Sequence, residues 1–258
     1  MKNIHLVAGA GLQGLACAYT LVAAGEDVII IEARQEIGDP VNGIGYLNQQ
    51  STYDWICEMN PPTQLQLCHN SNNWGLRLEW LEKLLCQKIG ESGADIRVKT
   101  RILGWKEDSK SKTIEVKGAG VGNQQFISAK YFHDCLGDQP FTNTLPGLNG
   151  ATESSGGRNV LGRKIRTDLI QWSGAIASPK GIPKQWSHLG WNGKRLSFPR
   201  ADGTIECWMK GTSCNPQHPK EWLEIISIKR GGDHNELSID SAISRGIDKA
   251  TNFLKQQQ

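Results

Sequence analysis

Residues 4–32 read IHLVAGAGLQGLACAYTLVAAGEDVIIIE. The apolar run Ile4 to Ala8 has the length of one buried parallel strand. Gly9, Gly11 and Gly14 follow in the spacing G-x-G-x-x-G. The Ala- and Leu-rich run Leu12 to Ala24 is apolar at helical spacing and stops at Gly25. A second apolar run, Val28 to Ile31, ends in an acid, Glu32. Each piece has a physical task in holding a dinucleotide. Gly9 permits the tight strand-to-helix turn, Gly11 lets a pyrophosphate approach the backbone through Ala10 to Gln13, and Gly14 lets helix and strand pack closely. The helix start offers N–H groups and the positive end of its dipole. Glu32 stands about twenty residues on, where an acid accepts a hydrogen bond from a ribose hydroxyl. Ala33 and Arg34 extend this position. The three glycines and Gln13 interrupt the apolar stretch, which argues against a secretory signal peptide.

The bulk numbers narrow the function classes. A chain of 258 residues buries one large core or two small ones. Its net charge of +3 is too small to imply a nucleic-acid partner. No apolar run reaches the roughly twenty residues of a membrane helix. Seven cysteines without a C-x-x-C pair fit reduced thiols and a cytoplasmic location. No His/Cys cluster has metal-ligand spacing, so no metal is expected. Nine tryptophans is the unusual count, and Trp172, Trp186, Trp191 and Trp208 fall in one region.

After Glu32, Gly38, Pro40, Gly43 and Gly45 predict an irregular loop. Asn48 to Asn73 is polar, contains Pro61-Pro62 and reads as a surface wrap. Leu76 to Gly90 reads as a helix with the stripe Leu78, Leu81, Leu84, Leu85 and Ile89. Ala94 to Thr100 reads as a strand. Ile102 to Glu107, Thr113 to Lys117 and Gln125 to Lys130 predict a small antiparallel meander. Tyr131 to Leu136 reads as a strand that ends at Gly137-Asp138.

This order resembles the FAD-binding domain of the glutathione-reductase-type flavoproteins. Within them, EIGDPV (Glu36 to Val41) is similar to the loop after the second strand in geranylgeranyl reductases and hydroxylase-like enzymes. Such enzymes often continue with Arg-Cys, where this chain has Asn42-Gly43. Arg77 matches an arginine they commonly carry at the start of the next helix. DCLGDQ (Asp134 to Gln139), with Gly137 and Asp138, looks like their strand returning to the cofactor. The resemblance implies an α/β fold: a Rossmann-type FAD-binding domain, a three-stranded antiparallel meander and a small β-rich substrate region.

Thr144 to Arg158, rich in Gly, Ser and Asn, marks a change of composition, and Asn159 to Ser173 holds at most one strand. Arg195 to Gly211 reads as a hairpin around Ala201-Asp202-Gly203, similar to the Phe-Pro-x-x-Asp-Gly hairpin that floors the active site in geranylgeranyl-reductase-like enzymes. Trp186, Trp191, Phe198 and Trp208 are candidates to line a substrate pocket there. The alternative is that the tryptophans fill a small core. Ile225 to Ile228 reads as a strand, Arg230 to Asn235 as a turn, and Ser238 as an N-cap. This resembles the C-terminal strand-turn-helix of several FAD oxidoreductases, which implies that Ser238 and Ile239 present helix N–H groups to the flavin. The Gly-Asp of the relatives' GDAA-like motif is met here by Gly232-Asp233, followed by His234 instead of small residues. The expected division is 1–143 for the FAD-binding domain, 144–222 for the substrate region and 223–258 for a returning strand and helix.

The expected function is an FAD-dependent oxidoreductase acting on an apolar or aromatic small molecule, by C=C reduction as in isoprenoid reductases. Hydroxylation by a flavin-dependent monooxygenase is one alternative. A non-catalytic dinucleotide-binding protein with a reduced substrate domain is another. No second G-x-G-x-x-G is present, so NAD(P)H enters only as a transient reductant. An NAD-dependent dehydrogenase is disfavoured because the meander stands where a second half-Rossmann would follow. His188, His218 and His234 are acid–base candidates by type alone. The substrate and the oligomeric state stay open.

Overall fold

The computed structural model describes residues 3–38, 43–65, 67–70, 73–107, 111–123, 125–136, 168–181, 189–211, 222–231 and 234–255. In chain order, β1 (Ile4–Ala8), α1 (Leu12–Ala23) and β2 (Asp27–Ile31) form the opening β-α-β unit. Next come β3 (Tyr46–Leu47), α2 (Gln50–Glu58), β4 (Cys68–Asn70), β5 (Asn73–Gly75) and α3 (Leu78–Glu91). They are followed by β6 (Asp95–Arg97), β7 (Thr100–Glu107), β8 (Lys112–Gly118), β9 (Phe126–Ala129) and β10 (Tyr131–Asp134). The later part holds β11 (Ile170–Ala177), β12 (Gly190–Trp191), β13 (Arg195–Pro199), β14 (Ile205–Lys210) and β15 (Trp222–Arg230). Helices α4 (His234–Leu237) and α5 (Asp240–Lys255) close the chain.

The chain divides into two compact units. The first comprises Met1–Ile37, Leu85–Thr167 and Arg245–Gln258, and the second Gly38–Leu84 and Asp168–Ser244. This grouping differs from the expected one, because residues 38–84 join the later strands. Strand β15 pairs antiparallel with β11 from Ile170↔Arg230 to Ala177↔Trp222, so it completes the second unit's sheet, whereas Arg245 onward belongs to the first unit.

The first unit is built on a parallel sheet in the order β10-β1-β2-β6. Side chains alternate across β1, so Leu6 and Ala8 share a face. They join Ile31 and the meander residues Ile102, Ile114, Val116, Ile127 and Ala129 in one core. The meander runs β7-β8-β9, as the three alternating runs predict. Leu15 and Leu21 of α1 have no exposed surface, and burial of each such side chain stabilises the fold by about 1.5–3 kcal/mol. Gly25 ends α1 at φ +84°. Its N–H donates to Val22 O at 3.0 Å and that of Glu26 to Leu21 O at 3.1 Å, the Schellman pattern that needs a left-handed residue. Gly246 of α5 faces α1 closely: a Cβ there would lie 2.3 Å from Gln13 O.

The second unit carries the antiparallel sheet β12-β13-β14-β11-β15 and the small sheet β3-β5-β4. The predicted hairpin is present, with Arg195↔Met209 through Pro199↔Ile205 in register. One face of the large sheet, including Trp172, Leu196, Phe198, Trp208 and Ile226, packs with Ile44, Tyr46 and Leu237 as its core. Residues 48–73, expected as a surface wrap, hold α2 and β4 and the first residue of β5. Of α2, Thr52 and Ile56 are the buried residues, too few to print a readable stripe. Of the range 159–173, expected to hold one strand, residues 159–167 lie outside the described residues, and β11 runs over Ile170–Ala177. Fold class is therefore α/β: a Rossmann-type domain with an antiparallel meander and a β-rich second unit.

Candidate functional site

The glycine-rich turn sits between β1 and α1, and its three glycines do different things. Gly9 has φ +96°, and a Cβ there would come 2.7 Å from Cys135 O. A Cβ on Gly14 would come 1.9 Å from Gly9 O. Those two glycines are demanded by the protein's own packing. Gly11 is different: nothing lies within 4 Å of the position a Cβ would take, and its backbone is extended, at φ −71° and ψ 173°. Gly11 is also the N-cap of α1 and makes no side-chain cap. The first-turn amides of a helix have no intrahelical acceptor. An open glycine at a helix N-terminus is the cradle that a pyrophosphate fills. Ala10 and Leu12 are buried, and Gln13 is half-buried.

Glu32 follows the last residue of β2 and is 7% exposed. Its Oε2 accepts from Ala10 N at 2.8 Å. Its Oε1 accepts from Arg34 N at 2.8 Å and Arg34 Nε at 3.1 Å. Burial pushes this carboxyl up, but the Arg34 charge and these N–H donors outweigh it and leave the group below its usual range. Glu32 is thus ionised and braces the glycine turn from the side. A carboxylate has about four lone-pair sites, so room remains for a ribose hydroxyl. Arg34 Nη1 is buried and lacks a hydrogen-bond partner among the described residues. An orphaned guanidinium nitrogen beside an ionised carboxylate suits an anionic, hydroxyl-bearing ligand. The residues present therefore fit the adenosine diphosphate half of a dinucleotide. Ala33 is exposed, and Gly137 and Asp138 lie outside the described residues.

The other expected site residues lie in the second unit. Arg77, just before α3, pairs with Glu79, lies 3.8 Å from Asp202 Oδ2 and stacks 4.3 Å from the centre of the Trp80 ring. It works within a charge network. Helix α5 begins at Asp240, and Ala242 N and Ile243 N both donate to Ile239 O. The start is thus one residue beyond the expected Ser238 cap. Ile239 N donates to Tyr46 O at 2.8 Å, so that amide is spent inside the protein. Ser238 and Ile239 are both buried. The Asp240 carboxylate accepts from Asn48 N at 2.8 Å and Gln49 N at 3.3 Å. Phe198 and Trp208, expected to line a substrate pocket, are fully buried core residues beside Trp172. Trp191 is partly buried, with its ring centroid 5.9 Å from that of Trp172. Trp186, His188 and His218 lie outside the described residues, as does the Gly232-Asp233 pair.

Sequence reading missed the buried charge cluster beneath the hairpin. Arg200 is 3% exposed and Glu206 4%. Arg200 Nη1 donates to Glu206 Oε2 at 3.2 Å, and its Nη2 lies 3.4 Å from Asp202 Oδ2 and 3.8 Å from Glu79 Oε1. Trp208 Nε1 donates to Glu206 Oε1 at 2.6 Å. Burial pushes the Glu206 carboxyl up to about 7 against the lowering effect of Arg200. The available signal was Glu206 itself, two residues from Trp208 and hence on the same inward face of β14.

Residues 7–44 match the family of NAD(P)-binding Rossmann-like domains. A digeranylgeranylglycerophospholipid reductase of Methanosarcina acetivorans is 34% identical over 40% of this chain and 31% of its own length. A second reductase of that name, from Methanococcoides burtonii, is 33% identical over 37% of this chain and 28% of its own. The chain thus spans about a third of the length of these curated relatives. Among solved structures, a geranylgeranyl bacteriochlorophyll reductase-like protein from Thermoplasma acidophilum superposes with a TM-score of 0.63. The identity is 13%, covering 99% of this chain and 79% of that one. Aklavinone-11 hydroxylase, solved with FAD and aklavinone, gives a TM-score of 0.61 at 14% identity over 98% of this chain and 62% of its own. The chain has the fold of these proteins.

Proposed function

We propose that the chain is an FAD-dependent oxidoreductase that acts on an apolar small molecule, with reduction of a C=C bond as its reaction. The observation that carries the cofactor reading is the open Gly11 at the start of α1, next to ionised Glu32 and the orphaned Arg34 Nη1. Ala10 to Gly14 would hold the pyrophosphate, through backbone N–H groups and the helix dipole. Glu32 would hold the adenosine ribose, and Arg34 would add a cation beside it. Bound there, FAD supplies a ring that accepts and returns two electrons with a proton. Arg77, Gly137, Asp138, Ser238 and Ile239 stand as further cofactor candidates; with the Ile239 N–H already taken, any contact from that residue would be through its side chain or carbonyl. Trp191 and Trp186 remain as substrate-side candidates.

The choice of reaction is supported by the names of the curated relatives, which are reductases of an isoprenoid lipid. A second reading, hydroxylation by a flavin monooxygenase, is favoured by the likeness to aklavinone-11 hydroxylase. The two differ in oxygen demand. With FAD, NADPH and a polyprenyl alcohol under anaerobic conditions, a reductase yields the saturated product, whereas a monooxygenase yields no product until oxygen is admitted and then a hydroxylated one. Failure to turn over with either, while FAD stays bound, favours a non-catalytic binding role. Binding of NAD(P) in place of FAD at the glycine turn, seen as nucleotide retained without flavin, would overturn the cofactor assignment.

A further inference from the structure

Where β1 and β10 pair, beside Phe253 of α5, the first unit buries two histidines. His5 of β1 has no exposed surface and His133 of β10 is 7% exposed. Their rings stack at 5.2 Å, with His5 Nδ1 3.0 Å from His133 Nε2. His5 Nε2 lies 3.3 Å from Glu26 Oε2, off line for a full hydrogen bond. A nitrogen lone pair facing a carboxylate is repulsive, so His5 Nε2 carries the proton. In the neutral ring Nδ1 is then the acceptor, and His133 Nε2 must donate to it. This leaves His133 Nδ1 as a bare acceptor, and it has no partner among the described residues.

His133 lines a cleft of about 320 Å³, together with Lys112, Lys130, Lys249 and Asn252. Asp134 is a carboxylate in that lining, and its Oδ1 accepts from Leu136 N at 3.2 Å. Lys130 Nζ donates to Asn3 Oδ1 at 3.0 Å and sits 4.9 Å from the Tyr131 ring centre, with ammonium protons to spare. Lys249 makes no ion pair among the described residues and is exposed. Phe253 and Tyr131 give the cleft an aromatic side.

The cleft therefore offers cationic donors from Lys130 and Lys249 and one imidazole acceptor from His133. An anion without a proton, such as sulfate, satisfies the lysines but sets an oxygen lone pair against His133 Nδ1. A monoprotonated phosphate satisfies both, because its P–OH donates to Nδ1 while its other oxygens accept from lysine. We propose that this cleft is a second binding site, for the phosphate group of a small phosphate monoester taken up in its monoprotonated form. Burial, the neighbouring His5 and Lys249 hold the His133 ring down at about 4, consistent with a neutral acceptor at neutral pH. The charged groups around it are Glu26, Lys112, Lys130, Asp134 and Lys249.

The test is calorimetric titration of the full chain with glycerol phosphate and, separately, with sulfate, alongside NMR of the His133 ring. Because the bound form carries one more proton than the free dianion, affinity should rise by up to about tenfold per pH unit on acidification. It should level off near the monoester's second pKa of about 6. Lys249→Gln, on an exposed position that should leave the fold intact, should weaken binding by about tenfold. His133→Phe should remove the pH dependence. Binding of sulfate as tight as that of glycerol phosphate, affinity independent of pH, or insensitivity to Lys249→Gln would each overturn the proposal. So would saturable binding to phosphatidylglycerol vesicles, whose diesters have no second ionisation, with none to glycerol phosphate. If His133→Phe does not fold, the pH profile and the His133 resonances of the unmutated chain decide.

Discussion

Glu32→Ala removes the one acceptor that serves both the fold and the proposed ligand. In the folded chain the carboxylate takes N–H groups from Ala10 at 2.8 Å and from Arg34 at 2.8 and 3.1 Å. Ala10 has no exposed surface, so its orphaned N–H cannot turn to water. The unliganded variant should lose about 1–3 kcal/mol of stability, a fall of about 2–4 °C in Tm for each kcal/mol at this chain length. The ligand loses more. A charge-assisted hydrogen bond to a ribose hydroxyl is worth about 1.5–3 kcal/mol, which is about a 10- to 150-fold loss of affinity. ADP is the right probe, since it carries the adenosine and phosphates without the flavin ring. Calorimetric titration gives its affinity, and thermal unfolding without ligand gives the structural part separately. Glu32→Gln should be no better for stability, because its amide cannot accept from Ala10 and Arg34 at once. ADP binding unchanged in a folded Glu32→Ala protein would refute the assignment of this residue.

The glycine turn makes a paired prediction. Gly11→Ala should keep stability within about 1 kcal/mol, since its Cβ meets open space, yet weaken ADP binding at least tenfold. Gly14→Ala should unfold or strongly destabilise the protein even without ligand, because its Cβ meets Gly9 O at 1.9 Å; equal stability of the two variants would contradict the roles given. Gly246→Ala should destabilise by pushing α5 off Gln13 O, measured in urea, and a neutral result would mean that the two helices pack less closely than described. Glu206 gives a pH signature. Its carboxyl is held up at about 7 against an ordinary 4.5, so its contribution is full below about 4.5 and lost as pH rises through about 7. The stability of the wild type relative to Glu206→Gln should fall by up to about 3 kcal/mol between pH 5 and pH 8. A difference that does not change with pH would remove Glu206 from its buried, strained environment.

What could be read in advance was what is local. The glycine spacing, the Schellman end at Gly25 and the acid after β2 are all set by residues within one β-α-β unit. The meander and the Arg195 to Gly211 hairpin were legible because alternation and turn residues sit side by side. The grouping of residues 38–84 with the later strands was not legible, because it depends on contacts far apart in sequence: a Cβ on Gly75 would strike the Phe198 ring. Two- and three-residue strands such as β3 and β4 have no periodicity to detect. The tryptophans were ambiguous for a chemical reason. A large ring with one polar N–H suits a pocket or a core equally, and only the partners decide. Trp172 Nε1 donates to Gly231 O and Trp208 Nε1 to Glu206, which satisfies each ring inside the protein.

Competition with ADP shows whether the turn at Gly9 to Gly14, with Glu32, holds FAD by its ADP half. The purified chain is incubated with FAD, freed of excess, and its visible absorption and flavin fluorescence are followed while ADP is added. Oxidised-flavin bands should travel with the protein, be released by ADP at saturation, and be missing from Gly11→Val. Flavin that binds Gly11→Val as well as wild type, or that ADP does not displace, would contradict this mode of binding.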